Sequence, residues 1–414
     1  MKKKSMCLLL TLVMAASILT GCGDKKSEST QAEAGSSSKD ADTTQAADNS
    51  KEDITLAFVG PQTGDNAEYG KSMKTAAQIA VDEWNEKGGV IGRKIKLVDF
   101  DDANSSEQAA SIAEKIVGDS SISAVLGHFS SGVGMTAGEV YQESGIALIN
   151  GSAAHMDFAK VGDCIFRNNA IYTTDANTML QIMDYLGVKK IGTINPNNDA
   201  GVAVTTAIQD MLERYGDQYS GELVLAELYE DGTVDFTATV AKFQQAGVEA
   251  IYSSGPYSAT APFIQQYREK DKDVKFVMSA ACFSQEFIEL AGKDANGVVL
   301  GTSFFYESED PAIQSFAKKF EEAYGSNPST FAAQVYDATN AILYAIEAGN
   351  SAERADIVKN LPNTDFQGVT GKITFDEEGN CLKEQVLLEI EDGKYVEIPD
   401  VLKSQADWEA EHIK

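Results

Sequence analysis

The chain is expected to fold as two doubly wound, mostly parallel α/β lobes, and three observations point there. Strand-like and helix-like segments alternate from Ile54 onward, and a second series of the same kind begins near Thr174. The roughly 350 residues involved, in a chain of 43% hydrophobic composition, are enough for two separate cores.

In the first series, residues 54–60 form a compact apolar strand. Met73, Ala76, Ala77, Ala80, Val81 and Trp84 then recur at helical spacing until Gly88-Gly89 stops the helix. Residues 95–100 are the next strand, and Ser105 with Gln108 makes a capping box ahead of Ala109, Ile112, Ala113, Ile116 and Val117. A strand at 123–127, a helix reaching Glu143 and a strand at 146–150 continue the pattern. Strands separated by helices of this length predict a parallel sheet covered on both faces. In the second series the strands are 190–195, 223–228, 249–253, 275–279 and 298–302, with amphipathic stretches such as 202–215 and 236–245 between them. Helical segments at 310–324 and 330–348 follow. Residues 371–398 read as short strands with turns at Glu378-Gly379 and Asp392-Gly393, so the end of the chain returns to complete the earlier sheets.

The amino terminus carries an address. Lys2, Lys3 and Lys4 precede an apolar stretch, 7–18, that is too short to span a bilayer and therefore reads as an export signal. Its ending, Leu19-Thr20-Gly21-Cys22, resembles the lipobox of bacterial lipoproteins. That resemblance implies a signal peptide over 1–21, cleavage before Cys22, and a diacylglycerol on the Cys22 sulfur that holds the protein at the outer face of the cell membrane. Two or more acyl chains anchor stably where one does not. Residues 22–53 are rich in Ser, Thr, Gln, Ala, Asp and Lys, without aromatics or apolar periodicity, and are expected to be a disordered tether. A leash of about 30 such residues spans on the order of 30 Å.

Composition narrows the function. The net charge is -29, and losing the signal's three lysines takes it to -32. So acidic a surface excludes nucleic acid as a partner and keeps an exported protein soluble. Cys164, Cys282 and Cys381 are scattered without metal-ligand spacing, and the histidines are His128, His155 and His412, the last in an acidic tail, 401–414. Gly132-Val133-Gly134 with Gly138 departs from the dinucleotide fingerprint: its last spacing is one residue too long, and Asp99 lies upstream of it. His128 beside Ser130 and Ser131 lacks a nucleophile elbow and reads as a structural histidine at a strand end. No enzyme chemistry, metal or cofactor is expected.

Several ordered motifs carry a family resemblance. Gly60-Pro61-Gln62-Thr63-Gly64, Glu68-Tyr69-Gly70, Asn85-Glu86-Lys87-Gly88-Gly89-Val90 and Asp99-Phe100-Asp101-Asp102 resemble the opening of type I periplasmic binding proteins of the leucine/isoleucine/valine class. The similarity continues through Gly127-His128-Phe129-Ser130-Ser131, Val335-Tyr336-Asp337-Ala338, Gly368-Val369-Thr370-Gly371 and Phe375-Asp376, covering about residues 54–398. It implies the solute-capturing component of an ATP-driven importer, a monomer serving permease subunits with cytoplasmic ATPases. It also implies three hinge crossings, placed near Tyr172, Ser303 and Glu384. The lobes are then 54–172 with 304–384, and 173–303 with 385–400.

In open α/β sheets, ligands lie beyond the carboxyl ends of the strands. Two loops there are informative. Ser130-Ser131-Gly132-Val133-Gly134 offers hydroxyls, close-approaching amides and a helix dipole suited to a carboxylate, and Gly151-Ser152-Ala153-Ala154 is a second small-residue loop open to ligand. The resemblance places carboxylate contacts on Ser131, Ser152 and Ala154, where the family commonly has Thr in place of Ala154. It makes Tyr257 the aromatic that closes over the ligand and Tyr69 a wall of the pocket. Ser131→Ala is expected to weaken binding with little loss of stability. Two departures bear on specificity. Ala200 stands where the family usually has Tyr, and the stretch Ser279-Ala280-Ala281-Cys282-Phe283 lacks the acid that often pairs with a ligand ammonium. Either another acid reaches in, Asp199 being one candidate, or the ligand has no ammonium. The expected solute is a small carboxylate-bearing molecule, an amino acid or a non-amine organic acid or amide. Signalling to a membrane receptor is the alternative to import.

Overall fold

The computed structural model describes residues 52–413, so the expected signal peptide, Cys22 and nearly all of the expected tether lie outside the described residues. The first half runs β1 (Ile54–Gly60), α1 (Ala67–Glu86), β2 (Ile95–Asp101), α2 (Ser106–Gly118), β3 (Ile122–Gly127), α3 (Ser131–Ser144), β4 (Ala147–Asn150) and β5 (Ile165–Arg167). Its five strands are all parallel, in the order β2-β1-β3-β4-β5. Burial on both faces explains the continuous apolar run in β1. Ile54, Leu56 and Phe58 enter one core with α1, while Ala57 and Val59 enter the opposite core with α2 and α3.

The chain then crosses into α4 (Tyr172–Leu186) and a second alternation of β6 (Lys190–Pro196), α5 (Asp199–Tyr215), β7 (Glu222–Tyr229), α6 (Thr237–Ala246), β8 (Ala250–Ser253), α7 (Tyr257–Arg268), β9 (Lys275–Met278), α8 (Gln285–Ala291) and β10 (Val298–Thr302). It returns through α9 (Pro311–Tyr324), α10 (Thr330–Gly349) and α11 (Arg354–Asn360) to pack on the first half, where α10 lies along α1. A small hairpin, β11 (Phe366–Gly368) with β12 (Gly371–Ile373), precedes the last crossing. The antiparallel pair β13 (Val386–Glu391) and β14 (Lys394–Ile398) then completes a seven-stranded second sheet, ordered β14-β13-β10-β9-β8-β6-β7. The turn between them falls at Asp392-Gly393, both with positive φ.

Residues 401–414 are more than an acidic tail. Residues 405–412 form α12 (Gln405–His412), whose Trp408 is 2% exposed and packs against Tyr215 and Tyr219. Glu409 accepts from the Tyr215 hydroxyl at 2.7 Å and pairs with Arg214.

The three crossings are tied to one another. Gln334 on α10 donates to Asn169 Oδ1 and to Ser303 Oγ, both at 2.9 Å, linking the first crossing to the second. Gln385, just before β13, donates to Asp175 Oδ1 at 3.2 Å, linking the third to the first.

Candidate functional site: a cleft between the two sheets

The carboxyl ends of both sheets face a common cleft of about 150 Å3. Two loops of the first half are tied into one unit there. Gly127 has φ +125°, and a methyl group on it would meet Val59 O at 1.9 Å, so only glycine fits this strand end. His128 follows, fully buried, with Nδ1 2.7 Å from Asp102 Oδ2 and Nε2 3.3 Å from the Tyr141 hydroxyl. Its side chain braces the loop. The His128 carbonyl accepts from Asn150 Nδ2 at 2.9 Å, and Asn150 Oδ1 in turn accepts from the backbone of Ser152 and Ala153. The Ser152 hydroxyl donates to Phe129 O at 2.7 Å. Ser131 Oγ accepts from the amides of Ala154 and His155, at 3.2 and 3.3 Å.

The consequence is an anion-seeking surface. Ser130 caps α3 without a side-chain hydrogen bond, which leaves the first-turn amides of that helix without a capping partner. Because Ser131 Oγ already accepts two amides, its own proton is available for donation. Ser130, Ser131, Ser152 and Ala154 all line the cleft.

The other expected site residues lie elsewhere. Ala153 is fully buried in the core of the first half, its amide pinned by Asn150. Gly132 faces Asp199 across the mouth: a methyl group there would stand 3.5 Å from Asp199 Oδ2. Asp199 itself is exposed and lines a separate outer groove with His155 and Arg214. Tyr69 and Tyr257 do not line the cleft. Tyr69 is 4% exposed, stacked on Phe129 at 4.5 Å, and its hydroxyl donates to Ala281 O at 2.9 Å while accepting from Tyr257 N at 3.3 Å. The two tyrosines therefore form a seam between the halves behind Phe129, and Pro256, one residue earlier, is the cleft-lining position. Gly151 serves helix packing: a methyl group on it would meet Val335 Cγ2 of α10 at 2.6 Å.

Several lining residues had no motif to mark them: Asn104, Asn169, Asp175, Ser303, Gln334 and Gln385. Four of these, Asn169, Asp175, Ser303 and Gln385, fall within three residues of the crossings that the family resemblance placed, and that position was the available signal. Of the two departures, Ala200 faces the cleft, and so do Ser279, Ala280 and Ala281 of the stretch without an acid. No Lys, Arg or His lines it among the described residues, and its acids are Asp175 and Asp231. Asp231 is exposed in the loop after β7. Asp175 is half-buried in the cleft wall, and desolvation there pushes its carboxyl up to about 6 although Gln385 donates to it.

A model of the periplasmic binding protein family matches residues 53–392. The Leu/Ile/Val-binding protein homolog 1 of Brucella suis is 29% identical over 83% of this chain and 92% of its own length. Among solved structures, the branched-chain amino acid transporter substrate-binding protein LivJ of Streptococcus pneumoniae, in complex with isoleucine, is 27% identical with a TM-score of 0.77, covering 84% of this chain and all of that one. A solute-binding protein of R. palustris in complex with benzoate has a TM-score of 0.76 at 20% identity, over 84% of this chain and 95% of that one, and shares the fold.

Proposed function

Because the chain belongs to the periplasmic binding protein family, we propose that it is the receptor of an ABC importer and captures an amino acid by closing two lobes upon it. It is a solute-binding protein, not an enzyme, and the family is exported. The observation that carries the amino-acid reading is the charge balance of the cleft. One side presents the uncapped amides of α3 and the Ser131 hydroxyl, the other presents a carboxylate, and among the described residues no basic side chain lines the cleft to neutralise a simple anion. Such a lining favours a zwitterion, whose carboxylate meets the helix terminus and whose ammonium meets an acid. The relatives named for leucine, isoleucine and valine support an aliphatic side chain, which Phe129, Phe331, Pro256 and Ala281 would surround. Ala200 and Ala281 leave room for a larger, aromatic one.

In this reading the Ser131 hydroxyl and the first-turn amides of α3 hold the carboxylate end, while Ser152 and Ala154, whose donors are taken within the protein, shape the loop beside them. The lobes are 54–172 with 304–384, and 173–303 with 385–400, and they turn about the three linked crossings. The seam from Tyr69 to Ala281 and Tyr257 forms on closure, which buries the ligand from water. Thermal unfolding of the purified protein tests this. An amino acid at about 100-fold over its dissociation constant adds about 2.7 kcal/mol, a shift of several degrees. Its 2-keto and 2-hydroxy counterparts should add far less; if they stabilise equally, the ligand is a non-amine acid.

The lipobox-like Leu19-Thr20-Gly21-Cys22 supports tethering of this receptor to the outer face of the membrane through Cys22. Cys22→Ser should move the protein from the membrane fraction into the soluble one, and unchanged membrane retention would rule the anchor out.

A further inference from the structure

We infer that Asp175, in the first turn of the helix by which the chain crosses into its second half, binds the ligand's ammonium group, so that the hinge itself reads ligand charge. The inference rests on the amino-acid reading above and names the residue that replaces the acid missing from the stretch at Ala280-Ala281.

The position argues for it first. An α-amino acid carries both charged groups on one carbon, so the ammonium partner must lie within a few ångströms of the carboxylate site. Tyr172 and Asp175 are three apart on α4 and so share a face of the helix. Tyr172 N donates to Ala154 O at 3.0 Å, and Tyr172 and Ser131 line the same cleft. Asp175 is thereby held one helical turn from the carboxylate cradle, in the lining of the same cleft.

The hydrogen bonding argues next. Within the protein, the Asp175 carboxylate accepts from Gln385 at 3.2 Å, whereas a carboxylate accepts up to about four bonds. The titratable groups facing it are Tyr172 from its own helix and Tyr252 from β8, both held neutral by burial. A half-buried carboxylate with one hydrogen bond and, among the described residues, no cation beside it is short of compensating charge, and a ligand ammonium supplies it. Asp231, the other acid of the lining, stands in water, where an ion pair is screened and weak.

The coupling to closure follows from Gln385. That residue belongs to the third crossing and Asp175 opens the first helix after the first crossing, so an ammonium on Asp175 bears on the bond that joins the two.

The test is calorimetric titration of wild type, Asp175→Asn and Asp231→Asn with an amino acid that stabilises the wild type and with its 2-hydroxy counterpart. Asp175→Asn should bind the amino acid about 100-fold or more weakly while binding the hydroxy acid as well as wild type or better. Asp231→Asn should change either affinity by less than about threefold. A pH series adds a readout that a merely structural role would not move. The free carboxyl titrates near 6 and the ammonium-bound one lower, so wild-type affinity for the amino acid is level above about pH 6 and falls below it. In Asp175→Asn that fall should vanish, which also separates Asp175 from His155, packed edge-on against Tyr172. Wild-type-like amino-acid binding by Asp175→Asn, or an equal loss of both ligands, would overturn the inference alone. A wild type that binds no amino acid would overturn the amino-acid reading beneath it.

Discussion

Trp408→Ala should destabilise the protein by about 3–5 kcal/mol, the usual cost of emptying a site that held a fully packed aromatic. The indole is 2% exposed and lies within ring-packing distance of Tyr215 at 5.8 Å and Tyr219 at 6.0 Å, with His412 stacked on its other side at 5.1 Å. It is the sole buried residue of α12, an eight-residue helix that would be marginal alone. Removing it therefore removes the reason for the helix to dock, and the Glu409 contacts to Tyr215 and Arg214 go with it. Urea unfolding measures the loss. A change below about 0.5 kcal/mol would mean that the end of the chain contributes nothing to the core.

Ser131→Ala should lower affinity for the amino acid by about 10- to 100-fold, since a hydrogen bond to a carboxylate is worth about 1.5–3 kcal/mol. It should also lower stability by about 1–3 kcal/mol, because the amides of Ala154 and His155 lose their acceptor. The second effect corrects the expectation that the fold would be spared. Sequence shows a serine at a helix start, but its two amide partners lie 23 and 24 residues away in another loop. Calorimetry and thermal unfolding of the same variant separate the two effects. Full affinity would remove Ser131 from the site, and full stability would mean that water replaces its oxygen at both amides.

These cases show which features the chain wrote locally. The strands of the first sheet were legible because burial on both faces demands a continuous apolar run, as in β1, and helix periodicity filled the gaps. β5 was not, since three edge residues around the buried Arg167 form no pattern. α12 was missed because a single buried tryptophan has no period, and its tyrosine partner Tyr215 lies 194 residues upstream of the neighbouring Glu409. In the site, strand-to-helix handovers marked the two loops and the family resemblance singled out Ser131, Ser152 and Ala154 within them; all three line the cleft. Gly151 and Tyr257 were placed in the right loops, but Gly151 accommodates Val335 and Tyr257 packs on Tyr69. Asp175, Gln334 and Gln385 were invisible as chemistry: each is an isolated polar residue whose meaning arises only when three distant crossings are brought together.

The most direct test of the central claim, that this cleft holds an amino-acid zwitterion, is calorimetric titration of the purified protein with its most stabilising amino acid and with the matching 2-hydroxy acid. The account predicts one site per chain and amino-acid binding at least about 100-fold tighter, the value of a well-buried charge pair at about 2.7 kcal/mol or more. Equal or tighter binding of the hydroxy acid would contradict it, and the acids of the cleft would then need another purpose.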